Sequence, residues 1–188
     1  ASAALVSVFP ECAVLVVDGI AEFSSTSLDY YDGREFLHLG SVEYPHSLGF
    51  LWEFFSAYLG FSPYDACKVM GLSSFGDPLR YKKAFSLVGK TTPEGFELSR
   101  DHLDFRGQNF AQVTALLGLP PRDLNEIVTQ DHKDVAAALQ ALTDEILVHL
   151  ALVLQKKTSS KFLAMAGGVA LNCVSNHLIA TKTSFEDV

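Results

Sequence analysis

The 188-residue sequence predicts an α/β fold: a mixed sheet opened by an antiparallel β-meander, with a helical region inserted before the sheet resumes. Three observations predict it. Strand-like segments follow one another closely between positions 13 and 44. Helical spacing then dominates from about 46 to 130. The chain closes on a long helix, a short strand and a final helix.

The first strand is "AVLVVDG", 13–19, a continuous apolar run ended by Asp-Gly, which reads as a buried strand. "EFSSTSLDYY" follows, rich in β-branched and aromatic residues, and the Asp-Gly at 32 and 33 is a hairpin signal. "EFLHLGSVEY", 35–44, sets apolar Phe36, Leu37 and Leu39 against polar His38 and Ser41. The period changes after Pro45: Leu48, Leu51, Trp52, Phe55, Tyr58 and Leu59 fall at helical spacing. "SPYDACKVMGL" predicts a short helix with Ser62 as N-cap and Pro63 at its first position. "PLRYKKAFSLV" predicts another helix, and "TTPEGFELS" a strand or hairpin with Gly95 at the turn. Helical patterns resume over 108–118 and 122–130. The longest helix starts near 132 and ends in Lys156 and Lys157, which suit a C-terminal dipole. "KFLAMAGG" supplies the last strand and its turn.

Composition narrows the function classes. Fourteen basic against 22 acidic residues leave a net charge of −8, which argues against a non-specific nucleic-acid binder. No uninterrupted apolar run approaches the roughly 20 residues of a membrane helix, so neither nucleic acid nor a membrane is expected as a partner. Cys12, Cys67 and Cys173 are an odd set without metal-ligand spacing, read as reduced thiols in a cytoplasmic protein. The six histidines do not cluster, and no Ser, Cys and His arrangement suggests a nucleophilic triad. The chain has no initiator Met and stops at "TSFEDV", where a turn should lead into another strand, so it is expected to be a piece of a longer protein truncated at both ends.

Three segments carry chemistry. In "VVDG", 16–19, an Asp after a buried strand is poorly solvated unless it meets a metal, a ligand-linked water or backbone N–H groups. The same dipeptide also serves as a plain tight turn. In "AGGVALN", 166–172, a strand, two glycines and a helix start make a natural anion or nucleotide site, with Asn172 able to reach a sugar hydroxyl or phosphate oxygen. Close strand-to-helix packing is the other reading of those glycines. It is neither a Walker A loop nor a three-glycine dinucleotide fingerprint. In "KVMGLSSFG", 68–76, Lys68 sits among apolar residues and could reach an anion, or lie on the surface of an amphipathic helix.

Taken in order, "ASAALVSVFP", "LVVDGIAEFSSTSL", "YPHSLGFLWEFFSAYLGF", "KVMGLSSFGDP" and "MAGGVALNCVSN" resemble the nodulation and antibiotic-type O-carbamoyltransferases over nearly the whole chain. The resemblance implies an actin-like ATPase (ribonuclease H-like) lobe spanning 1–188, with its helical insertion at about 46–130. It implies ATP or carbamoyladenylate held by Gly167, Gly168, Val169, Ala170, Leu171 and Asn172, with Lys68 in a family motif of unassigned role. Asp18 would be the catalytic acidic residue beside carbamoyladenylate and a divalent metal, iron or magnesium. The carbamoyl group would pass from carbamoyl phosphate, through carbamoyladenylate, to a hydroxyl of a small-molecule acceptor. The partners would be the other lobe and an adenylate-forming domain of the same protein. Alone, the chain would be inactive. Two departures from the family pattern stand out: Ala21 where a Gly is usual, and "SSFG" at 73–76 in place of "APYG". A second class of function remains open, an actin-like nucleotide-binding module with a regulatory or chaperone role and no group transfer. The "PHSLGFLWEFFSAYLGF" segment separates the two, since a generic ATPase lobe has no obvious need of it.

Overall fold

A computed structural model describes residues 1–188. The order is α1 (Ser2–Val6), β1 (Cys12–Ala21), β2 (Ser24–Tyr31), β3 (Phe36–Glu43), α2 (Leu48–Tyr58), α3 (Ala66–Ser73), α4 (Lys82–Val88), β4 (Gly89–Thr92), β5 (Gly95–Leu98), α5 (Ala111–Leu117), α6 (Gln130–Thr158), β6 (Leu163–Ala166) and α7 (Cys173–Lys182). A short 3₁₀ turn, Gly168–Leu171, separates β6 from α7. The chain divides into two compact units: residues 1–49, 91–96 and 144–188, and residues 50–90 and 97–143.

The first unit holds a four-stranded mixed sheet in the order β3-β2-β1-β6. β1, β2 and β3 pair antiparallel, as the strand patterns and the Asp-Gly hairpin signal require, and β6 adds parallel to β1 with Ala13 opposite Leu163 and Val16 opposite Ala166. The β2–β3 turn is closed by the Asp32 carboxylate, which accepts the N–H groups of Arg34 and Glu35 at 2.8 Å each. Those two bonds hold the exposed Asp32 carboxyl below its ordinary pKa. β1 is covered on both faces because alternate side chains enter different layers. Cys12 and Val14 pack with Ala4 of α1 and Ala164 of β6, while Phe9 stacks on Phe162 at 4.7 Å. Burial raises the Cys12 thiol pKa, which suits a packing residue rather than a reactive one. No cysteine is in a disulfide.

Asp18-Gly19 does not end β1. The strand runs on to Ala21, and the chain reverses at Glu22-Phe23, with Glu22 at φ 57°. Val17 pairs with Thr26 and Ala21 with Ser24, so Asp18, Gly19 and Ile20 stand opposite Ser25 alone. This is a bulge with two extra residues, and it releases the backbone at 18–20 from the ladder.

The second unit is helical around an aromatic core. Phe54, Phe55, Tyr58, Phe85 and Phe110 meet mostly edge to face. Trp52 donates its ring N–H to the Thr143 hydroxyl at 3.0 Å. The expected helix at 122–130 is absent. Arg122 is buried instead, and its guanidinium bonds the carbonyls of Leu59, Gly60, Asp123, Leu124 and Glu126. The Asp123, Leu124 and Glu126 carbonyls among them are ones that a helix over 122–130 would use internally. The helix expected from Ser62 starts later, at Ala66, because Asp65 accepts the Ser62 N–H and closes a turn there. Within residues 91–96 of the first unit, the turn of the β4–β5 hairpin is Pro93-Glu94, and Gly95 begins β5. α6 is long and apolar enough on average to cross a membrane, a property that a search for uninterrupted apolar runs misses, yet 61% of that stretch is buried inside the protein.

Candidate functional site

β1 and β6 are parallel and in register up to Val16 and Ala166; there β6 ends, and β1, still paired to β2 at Val17 and Ala21, loosens into the Asp18 bulge beside it. Ligands of open α/β sheets bind outside the carboxyl ends of the strands. Here that edge is built from the Asp18 bulge and the Gly167-Gly168 turn.

The two glycines meet different surroundings. Gly167 has φ 93° and ψ 165°, a conformation that only glycine adopts readily. A Cβ there would lie 2.6 Å from the Val17 carbonyl carbon and closer still to its oxygen. Gly167 is thus a backbone-to-backbone packing residue. Gly168 is exposed and lacks a left-handed φ, and a Cβ on it would meet only the Asp18 Oδ1, at 3.3 Å. The Asp18 carboxylate therefore lies directly against the exposed glycine. Its Oδ1 accepts the Gly19 N–H at 2.8 Å, and its side chain makes no other hydrogen bond within the chain.

The turn after Gly168 is pinned by polar side chains. Val169 is buried, Ala170 donates its N–H to the Gly167 carbonyl at 3.1 Å, and Leu171 is 82% exposed. Asn172 is buried and caps α7, its Oδ1 accepting the Ser175 N–H at 3.1 Å. Its carbonyl end is thus engaged by its own helix, and what the sequence offers as a ligand contact has a structural task. Asn176 donates to the Ala170 carbonyl at 2.8 Å, and the buried Ser175 hydroxyl donates to Asp144 of α6 at 2.6 Å. Nothing local in the sequence singles out Ser175, Asn176 and Asp144, whose partners lie on different turns or elements. The same holds for Ser47, within "PHSLGFLWEFFSAYLGF". Ser47 is fully buried, and its hydroxyl lies 2.6 Å from the Gly19 carbonyl oxygen and 3.3 Å from that of Asp18. Gly49, in the first turn of α2, would bring a Cβ to 2.6 Å from Gly19 Cα.

Lys68 belongs to the second unit, on α3. It is not buried: its side chain is 60% exposed and pairs with Asp65 at 3.0 Å, which holds the Asp65 carboxyl below its ordinary pKa. That is the amphipathic-surface reading of the motif. No group of three or more His, Cys, Asp or Glu residues that could hold a metal ion occurs in the chain. Asp18 could supply one ligand, and the residues present do not make a metal site by themselves.

A mixed sheet in which a carboxylate and an exposed glycine turn meet where the parallel pairing stops defines a class of α/β lobe with one polar, accessible edge. Within that class the chain belongs to the carbamoyltransferase N-terminus family, whose model matches residues 1–188. It is 33% identical to nodulation protein NolNO of Sinorhizobium fredii over 187 residues, covering 100% of this chain and 26% of that protein. It is equally 33% identical over 187 residues to nodulation protein NolO of Bradyrhizobium diazoefficiens, covering 100% of this chain and 33% of that protein. An uncharacterized protein of Synechocystis sp. is 31% identical over 196 residues, covering 100% of this chain and 31% of that protein. The chain therefore spans about a quarter to a third of the length of these relatives.

Proposed function

We propose that the chain is one actin-like lobe of a longer, cytoplasmic, ATP-dependent O-carbamoyltransferase. In this reading the longer protein hydrolyses carbamoyl phosphate to carbamate and phosphate, and the carbamate oxygen attacks the α-phosphorus of ATP, giving carbamoyladenylate with pyrophosphate as the leaving group. The lobe then presents the carbamoyladenylate to the hydroxyl of a small-molecule acceptor, giving a carbamate ester and AMP. Family membership over the whole chain supports the reaction class. The length of the relatives leaves room for a second lobe and an adenylate-forming domain. One observation carries the site: the exposed Gly168 lies against the Asp18 carboxylate at the carboxyl edge of β1 and β6.

Each residue has a distinct part. Gly167 closes the strand edge, so that the turn of Gly168, Val169, Ala170 and Leu171 lies beside it. Gly168 leaves room for the nucleotide near the start of the following helix, where the dipole favours negative charge. Asn172 keeps that helix start in shape. Asp18 faces the carbamoyl end of the ligand. A divalent metal, if the longer protein holds one, would take Asp18 as one ligand and supply charge stabilisation, its other ligands coming from outside this chain. Alone, the 188-residue chain is expected not to transfer a carbamoyl group.

The test is calorimetry of ATP binding to the longer protein and its Gly168→Val variant. The backbone at 168 tolerates a side chain, so folding should persist while the added methyls block the ligand. Loss of one or two charge-assisted contacts should weaken binding roughly tenfold or more. Unchanged ATP affinity in Gly168→Val would mean that the turn is a packing device and would overturn the assignment.

A further inference from the structure

The position of Asp18 is set from behind. A bulge takes backbone out of the ladder, and the carbonyls it frees need other partners. At this bulge the partner is Ser47, in the segment joining β3 to α2. Its single hydroxyl hydrogen goes chiefly to the Gly19 carbonyl at 2.6 Å, with the Asp18 carbonyl near at 3.3 Å. Gly49 completes the seat: with no Cβ, it lets the first turn of α2 come down onto the Asp18-Gly19 peptide, where a Cβ would lie only 2.8 Å from the Asp18 carbonyl carbon. Ser25, the residue opposite the bulge, is buried and donates to the carbonyls of Val42 and His46, which ties the segment before Ser47 to the same place.

We propose that Ser47 is a positioning residue for the site: by fixing the Asp18-Gly19 backbone from the buried side, it aims the Asp18 carboxylate at Gly168. This rests on the reading of Asp18 given above. A bulge held only by its own chain reversal could rotate about the 18–20 backbone and swing the carboxylate away from the ligand edge. The Ser47 bond and the Gly49 contact remove that freedom. The effect reaches the reacting atoms only through Asp18, since Ser47 itself is fully buried.

The experiment uses the longer protein with Asp18→Asn, Ser47→Ala and Ser47→Cys, measuring kcat for carbamoyl transfer, ATP affinity by calorimetry and the urea midpoint. Positioning predicts that Ser47→Ala repeats the signature of Asp18→Asn: kcat falls at least tenfold per folded molecule while ATP affinity stays within about twofold. A merely structural serine would lower the urea midpoint and leave kcat per folded molecule in place. If Ser47→Ala does not fold, Ser47→Cys fills the site with a slightly larger side chain and offers a weaker, longer donor, and its kcat per folded molecule should fall at least threefold. Wild-type kcat in a folded Ser47→Ala or Ser47→Cys, beside a damaged Asp18→Asn, overturns the proposal alone. Wild-type kcat in Asp18→Asn overturns the assignment of Asp18, and the role of Ser47 with it.

Discussion

Gly167→Ala tests the packing at the sheet edge most directly. The native φ of 93° with ψ of 165° lies where alanine is strained, at a cost of order 1–3 kcal/mol. The new Cβ would also sit 2.6 Å from the Val17 carbonyl carbon, whereas real Cβ atoms essentially never come within 3.0 Å of a heavy atom. The obstacle is backbone of β1, beside the last paired residues Val16 and Ala166, so it cannot swing aside as a side-chain tip can. Opening that edge adds an overpacking term of about 1–3 kcal/mol, and the two together come to about 4 kcal/mol. At a urea m-value of about 2 kcal/mol/M, that moves the midpoint by roughly 2 M. Gly168→Ala is the control. Its φ is ordinary and its Cβ meets only the end of the Asp18 side chain, at 3.3 Å, so its stability should stay within about 1 kcal/mol of wild type. Circular dichroism is the appropriate signal, because the single tryptophan, Trp52, lies in the other unit and its fluorescence would report on that one. A Gly167→Ala midpoint within 0.5 M of wild type, on the order of 1 kcal/mol, would refute the reasoning, as would equal losses for the two alanine variants.

Two further outcomes follow from the same geometry. Asn172→Ala removes the cap of α7 and should cost about 1 kcal/mol, with Asn172→Asp recovering most of it because a carboxylate accepts the Ser175 N–H equally well; urea titration of both checks this. His132 is buried and accepts the Thr129 N–H on Nδ1, and burial, then the nearby Arg122 guanidinium, push its pKa below the ordinary value. The unfolded chain takes up that proton near pH 6.5 while the folded chain resists it, so the stability His132 contributes is present above about pH 6.5 and is lost as pH falls through the lower folded pKa. His132→Asn offers an oxygen in place of Nδ1 and does not titrate; urea midpoints at pH 7.5 and pH 5 should therefore fall less in that variant, and identical falls would contradict the assignment.

Much of the first unit was legible in the sequence because each of its strands announces itself locally. Cys12 to Leu15 form a buried run and Asp32-Gly33 has the chemistry of the turn it makes, whereas the apolar Phe36 and Leu37 of β3, expected on a covered face, are both exposed. What escaped notice depends on partners far along the chain. Arg122 ends any helix at 122–130 because its carbonyl partners include Leu59 and Gly60, more than 60 positions earlier. The bulge at Asp18 escaped because Asp-Gly is an ordinary strand terminator, and only pairing with Ser24 and Thr26 shows the strand continuing beyond it. Gly167 and Gly168 stand out as a pair in the sequence, but a sequence cannot say that one faces a carbonyl and the other a carboxylate. Asn172 offers both a ligand contact and a helix cap in the sequence, and only the position of the Ser175 N–H, three residues on, shows that its Oδ1 serves as the cap.

The two extra residues of the bulge separate the mechanics of the sheet from the reach of its carboxylate. Pairing from Cys12 to Val17 is fixed by β2 and β6 and pairing at Ala21 by the turn that follows, and between these anchored points Ser47 and Gly49 hold the segment 18–20 from the buried side. Removing one of its residues would shift the Asp18 carboxylate relative to Gly168 and would disturb the Ser47 bond and the Gly49 contact with it. The reach of this acid over the edge is therefore coupled to the start of α2, and an insertion or deletion in the bulge would need a matching change at Ser47 or Gly49.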